Sequence, residues 1–514
     1  MIRALPGVAA ALVVAGLTLG TLVVVALRAE GVVRLGPGDW AAIRFTLVQA
    51  ALSAGLSVAL AIPVARALAR RRFTGRGVLI TLLGAPFILP VIVAVLGLLA
   101  IFGRNGALSS VLGWFGLPPV QVYGFHGVIL AHVFLNLPLA TRLILQGWLA
   151  IPAERFRLAA TLGLAPRDVR RLLERPMLRS VVPGAALVIF LICTTSFAVA
   201  LTLGGGPRAT TVELAIYQAF TLEFDLGKAA LLSLVQVAIC ACAAVIALGA
   251  AVPAGFGAGL DRMIARWDAP RGWRRLADGA IIAAAAAFLL LPILAVIADG
   301  LMALGGLPAG VWKAAGRSVL VALTAAALAL ALALPLALLI QRAGRFGGLI
   351  EPVAYLSIAT SPLVIGTGLF ILLFPVANPV ALALPVTAVV NAAMSLPFVL
   401  RALMPALRDA EAAHGRLADS LGMTGWARLR YLLLPRLRRP AGFALGLSAA
   451  LSMGDLGVVA LFADPAQATL PLALYQLMGA YRMDDAAGAA VLLLGLSLGL
   501  FWVLDRGGRL NAAA

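Results

Sequence analysis

Lysine is almost missing from this chain, where only Lys228 and Lys313 interrupt a basic complement made of arginine. A nucleotide-binding P-loop needs Gly-x4-Gly-Lys followed by Ser or Thr, because the lysine reaches the phosphates and the hydroxyl holds magnesium. Lys228 precedes Ala229 and Lys313 follows Trp312, so neither belongs to such a loop. Histidine and cysteine number three each. His126, His132 and His414 lack metal-ligand spacing, while Cys193, Cys240 and Cys242 lie in apolar runs where a thiol acts as a small hydrophobe. Neither a zinc site nor a disulfide framework can be assembled, and no Ser/His/Asp or Cys/His set converges. Catalytic residues and metal ligands are therefore expected to be none. Charged residues make up only 12% of the chain, too few for a soluble protein of 514 residues.

What fills the sequence instead is apolar. Hydrophobic residues reach 62% and the mean hydropathy is +1.05, in runs of about twenty residues. The expected fold class is an all-α polytopic membrane protein. Twelve transmembrane helices are expected at 8–28, 46–69, 78–102, 126–147, 181–203, 229–252, 280–299, 316–340, 350–374, 380–403, 441–463 and 486–504. With loops assigned alternately, thirty-one of the 40 Lys and Arg fall on one side, including Arg66, Arg70, Arg71, Arg72, Arg76, Arg506 and Arg509. The positive-inside rule makes that side the cytoplasm and places both termini there. The net charge of +19 is thus a statement about topology, with no nucleic acid implied. The first helix follows Arg3 without a small-x-small cleavage site before Glu30, the pattern of a retained anchor.

One pattern in this apolar chain is written twice. Arg157-Leu158-Ala159 leads to Gly163 and Pro176, and Arg416-Leu417-Ala418 leads to Gly422 and Pro435, at a constant offset (422 − 163 = 259). The same offset places Pro138 on Pro397, Arg142 on Arg401, Arg171 on Arg430 and Arg179 on Arg438. Upstream a second offset (335 − 63 = 272) matches Trp40 with Trp312, Pro63 with Pro335, Arg70 with Arg342, Gly75 with Gly347 and Pro90 with Pro362. The difference is absorbed after the third helix, where the first half has Gly103 to Gly124 and the second only Pro375 to Pro379. Self-similarity of this kind marks a duplicated architecture. Six helices per half give both halves one orientation, as two parallel six-helix repeats about an axis along the membrane normal. The halves are expected at 1–252 and 279–514, joined by a cytosolic linker at 253–278.

The twice-written segments, 150–180 and 405–440, follow the pattern of helix, glycine turn, helix. Gly163 and Gly422 sit where a left-handed cap would end the first helix, and Ala159 and Ala418 let that helix lie close in a groove. A basic helix on anionic lipid would tolerate many arrangements of arginine, whereas here the glycine-to-proline distance is identical in both copies. That favours docking on a partner with two equivalent sockets. A weaker pair lies outside: Ala209-Thr210 runs to Tyr217-Gln218, and Ala468-Thr469 to Tyr475-Gln476. Each is either a short helix across the outer mouth or an interfacial aromatic anchor. Asp455, at membrane depth in the eleventh helix, either lines a pathway or caps a break around Gly454 and Gly457. Thr194, Thr195, Ser196, Asn391 and Ser452 are equally available as pathway polar groups.

The spacing resembles the cytoplasmic signature of ABC-importer permeases, an E-A-A element, three residues, Gly, nine residues, Ile, one residue, Leu and Pro. Gly163 with Leu173 and Pro176, and Gly422 with Leu432, Leu434 and Pro435, match that frame. Arg157 and Arg416 stand at the usual Glu position, and Arg175 replaces the Leu. The run Leu203 to Gln218, Gly454-Asp455-Leu456-Gly457, Leu474-Tyr475-Gln476 and Tyr481-Arg482 with Asp484 to Ala487 resemble the thiamine and thiamine pyrophosphate branch. Ferric-iron permeases share the fused layout and are the nearest competitor. The resemblance implies two fused MetI-like halves in a bacterial inner membrane and an extracytoplasmic binding protein. It also implies two copies of a separate ABC ATPase that carry the ATP and magnesium, so that this chain binds no cofactor. It assigns ATPase coupling to Arg157, Leu158, Ala159, Gly163, Pro176, Arg416, Leu417, Ala418, Gly422 and Pro435. A secondary transporter with two parallel six-helix repeats is the rival of another class; it would need intramembrane coupling-ion groups, which are sparse.

Overall fold

A computed structural model describes residues 5–29, 35–84, 88–204, 206, 209–248, 272–344, 347–462 and 467–510, and within them every regular element is helical. Eleven helices are long and apolar enough to cross a membrane. The ninth expected pass, 350–374, is not one rod but two shorter helices, Gly347–Ala359 and Pro362–Leu373. Pro362 has no amide to continue the ladder, and the Ser361 hydroxyl caps the new helix by accepting from the Leu363 amide at 3.1 Å.

The third and fifth passes of each half are broken at equivalent places; only the break around Gly454 and Gly457 was among the readings of the sequence, the other passes being expected as continuous helices. In the first half the third pass divides into Arg76–Leu82 and Val91–Phe102, the latter starting after Pro90, the counterpart of Pro362. The fifth passes divide into Arg175–Thr194 and Phe197–Leu203, and into Leu434–Met453 and Gly457–Leu461. No proline causes the fifth-pass breaks. Thr194 and Thr195 turn their hydroxyls back to the Leu191 carbonyl at 2.8 and 3.2 Å, and Asp455 Oδ1 accepts from the Gly457 amide at 3.2 Å. Such local bonds give the backbone an alternative to the helical ladder.

Proximity in the chain does not decide which helices pack together. The first helices, Leu5–Ala15 and Thr21–Ala29, lie against Ala309–Arg342 and Pro362–Leu373 of the second half, while Trp273–Ala303 lies against Val91–Phe102 of the first. Two glycines permit this exchange. A Cβ on Gly368 would stand 2.5 Å from Thr21 Cβ, and one on Gly97 would stand 2.5 Å from the Pro292 carbonyl oxygen. The halves are therefore interlocked at their first helices.

Most of the linker, 253–271, lies outside the described residues, but its last part, expected as loop, already belongs to the helix Trp273–Ala303. Asp278 there accepts from Arg70 at 3.0 Å and Arg71 at 2.8 Å, fastening the start of the second half to the arginine-rich end of the first. The buried surfaces are rich in alanine, so helix backbones approach closely, as small residues allow in membrane bundles.

Candidate coupling and gating sites

At the arginine-rich end the two repeated segments have the same geometry. In the first, helix Ala153–Thr161 ends with Gly163 at φ +63°, and the Leu164 amide donates to the Ala159 carbonyl at 3.0 Å. In the second, the helix ends at Ser420 with Gly422 at φ +65°, and the Met423 amide donates to the Ala418 carbonyl at 2.9 Å. These six-to-one bonds close Schellman turns, whose left-handed position suits glycine. Ala159 and Ala418 are both 3% exposed, whereas Leu158 and Leu417 are 59% and 57% exposed. Leu162 and Leu421 are bare as well, and Arg157, Arg416, Pro176 and Pro435 are all exposed. Each segment thus buries its alanine inward and presents leucines outward.

Beyond the turn each chain enters its fifth helix through a π-helical stretch, Arg170–Glu174 and Arg428–Leu433. The Arg175 amide donates to the Arg170 carbonyl and the Leu434 amide to the Leu429 carbonyl, five residues back in both copies. Pro176 and Pro435 follow at once. A proline inside a helix removes one amide and crowds the carbonyl four residues earlier, and a widened turn relieves both.

The copies differ in what holds them. The first segment is a separate helix because Ile151 takes an extended conformation before Pro152. The second has Glu411 at that register and is the end of one long helix, Ala383–Ser420, rather than the separate element expected. Phe156 and Val169, buried in the first copy, correspond to Gly415 and Arg428 in the second. There the Arg428 guanidinium binds both carboxylate oxygens of Glu411 and one of Asp419, and these bonds hold Arg428 in its charged form. The reverse occurs one turn on, where the ion pair of Arg66 and buried Glu174 at 2.8 Å corresponds to Leu338 and Leu433 in an apolar cluster. Neither tie was foreseen, since a match of register says nothing about an exchange of chemistry.

Of the pathway residues, Asn391, Ser452 and Asp455 come together beside the fifth-pass break of the second half. The Asn391 amide donates to Ser452 Oγ at 2.9 Å, and Asp455 lies within reach of Asn391. Thr194, Thr195 and Ser196 form the equivalent break of the first half. Beside it sits a buried polar cluster that was missed. Gln49 donates to the Cys193 carbonyl at 2.9 Å, Gln236 to the Thr194 carbonyl at 2.9 Å, and His132 Nδ1 lies 3.5 Å from Ser53 Oγ. The offset of 259 would have found it, because His132 and Cys193 correspond to Asn391 and Ser452.

At the arginine-poor end both segments are short helices, the first of the two readings, at Val212–Thr221 and Leu470–Gly479. A hydroxyl at matched positions on the second pass holds each N-terminus: Thr46 Oγ1 accepts from the Val212 amide at 2.9 Å, and Ser318 Oγ from the Leu470 amide at 2.7 Å. Tyr217 packs edge-on against Phe197 at 5.2 Å, and Tyr475 is half-buried. Gln218 is half-buried and Gln476 exposed. Phe220 of the first half meets Phe370 of the second at 4.5 Å, and Phe370 meets Phe462 at 5.6 Å, so aromatic rings from both halves close this mouth.

No family model matches the chain. Known proteins do. It is 41% identical over 474 residues to the thiamine transport system permease protein ThiP of Brucella abortus, covering 91% of this chain and 87% of that protein. It is 40% identical over 493 residues to the protein of the same name from Escherichia coli K12, covering 91% and 89%. The chain belongs to this permease family. A third relative, the molybdenum transport system permease protein ModB of Azotobacter vinelandii, is 30% identical over 182 residues, which is 35% of this chain and 80% of that one. The permease therefore shares about a third of its length with a shorter protein. It is a multi-pass transport subunit of the ABC-importer class.

Proposed function

We propose that this permease imports thiamine and thiamine pyrophosphate across a bacterial inner membrane, driven by two copies of a separate ATPase. The arginine-rich end with both termini faces the cytoplasm, and an extracytoplasmic binding protein delivers solute to the opposite mouth. The names of the relatives support the substrate. The observation that carries the mechanism is the pair of glycine-capped segments with matched exposed leucines, Leu158 with Leu162 and Leu417 with Leu421. Apolar side chains presented twice in one register fit two equal clefts on a symmetric motor.

ATP and magnesium belong to the motor, and this chain contributes geometry. Each docking segment runs through its π-helical stretch into the first part of the fifth pass, which ends at the break beside Asn391, Ser452 and Asp455 or its counterpart. Movement of a segment is therefore delivered to the break, where the helix has no ladder to resist bending. Closure of the motor rocks the halves apart at the aromatic mouth, and its opening restores the closed mouth.

Replacing both Gly163 and Gly422 by valine tests the docking. A β-branched side chain is strained at positive φ, so both turns should distort. ATPase co-purification and uptake should be lost while membrane insertion is retained. Normal recovery of the ATPase on that double variant would refute the docking role, and uptake of ferric iron in place of thiamine by the wild-type assembly would refute the substrate.

A further inference from the structure

Glu213 has no evident structural reason to be acidic. It lies in the first turn of the helix Val212–Thr221, is 0% exposed, and neither carboxylate oxygen has a hydrogen-bond partner. The Ser361 hydroxyl of the second half lies beside it, at the break in the ninth pass. Proximity to a helix N-terminus favours a carboxylate only modestly, whereas burial without partners opposes one strongly. The equivalent helix has Pro471 at this register and folds without an acid there. Asp455 differs, because its Oδ1 accepts from the Gly457 amide and so shapes the local break.

Glu213, Tyr217 and Phe220 follow at i, i+4 and i+7, one face of the helix. That face lies on the seam between the halves: Phe220 touches Phe370 and Glu213 adjoins Ser361, both across the seam. Parting of the halves there would uncover one helix face that carries a carboxylate and two aromatic side chains. Aromatic faces attract cations, and a desolvated carboxylate completes a site for a flat organic cation.

We propose that Glu213, with Tyr217 and Phe220, forms a cation-recognising element of the outer gate that contacts the fixed positive charge of the substrate. This rests on the thiamine reading, whose thiazolium ring is such a cation. The test uses proteoliposomes holding the permease with its ATPase and binding protein, in wild-type, Glu213→Gln and Glu213→Asp forms. Uptake of labelled thiamine and ATP hydrolysis stimulated by the binding protein are measured together. Glu213→Gln should lower uptake at least about tenfold with hydrolysis unchanged, and Glu213→Asp should recover part of the uptake. Unchanged uptake in Glu213→Gln overturns the assignment, as does a parallel fall of uptake and hydrolysis, which marks a structural role. Absence of thiamine uptake by the wild-type assembly sinks the functional reading and this assignment together, whereas wild-type uptake with an indifferent Glu213→Gln sinks the assignment alone.

Discussion

Replacing Arg428 by alanine removes the ionic tie that holds the second repeated segment and leaves the first untouched. Arg428 and Glu411 have side chains 19% and 20% exposed and share two bonds, whereas Asp419 is 69% exposed and solvent screens most of its contribution. A charge-assisted pair in that setting stabilises the segment by about 2 kcal/mol. At about 1.4 kcal/mol per decade, amide exchange across 411–433 should accelerate about thirtyfold. The segment 153–174 should exchange as in the wild type, which makes the duplication its own control. A second variant carries the first copy's apolar solution, Gly415→Phe with Arg428→Val. A Cβ on Gly415 meets only the flexible ends of Glu411 and Arg428, at 3.0 and 3.2 Å, so the ring has room once the guanidinium is gone. Protection should return in that double variant. Equal acceleration in both segments, or none in either, would refute the claim that matched positions hold the two copies by exchanged chemistry.

Leucine at Gly97 or Gly368 should lower the yield of folded protein and its melting temperature in detergent, because backbone or Cβ atoms of the exchanged helix stand within 2.5 Å; unchanged melting would refute the close approach. Thr46→Val and Ser318→Ala each remove an acceptor from the N-terminus of an outer helix, and each should destabilise that helix by about 1 kcal/mol, read as faster exchange near Val212 or Leu470 respectively. Asn391→Ala and Ser452→Ala should be non-additive in thermal stability, with a coupling of about 1 kcal/mol, because each removes the same buried bond; additive effects would show that the bond contributes nothing.

Much of this architecture was legible because hydropathy and arginine placement are local properties. Apolar runs located the eleven long apolar helices and the two shorter ones at 350–374, and two constant offsets paired positions that the structure shows in equivalent roles, down to Gly163 and Gly422 at φ +63° and +65°. Breaks within passes were harder to see. Pro90 and Pro362 were available as signals, yet Pro63 and Pro335 sit inside unbroken helices, so proline alone does not say where a membrane helix stops. The fifth-pass breaks carry no proline and are accompanied by short-range hydroxyl and carboxylate bonds, which Ser and Thr elsewhere in the bundle also make without breaking their helices.

By itself the sequence determined the class of the protein, where its apolar helices lie and the register of its two glycine turns, because each depends on composition or on residues near in the chain. Tertiary structure alone decided that the first helices change halves, that Arg428 binds Glu411 where Val169 of the other copy is buried, and that Glu213 lies buried on the seam. Those are facts about which surfaces meet, and packing between distant segments is settled by shape and by the partners each polar group finds after folding.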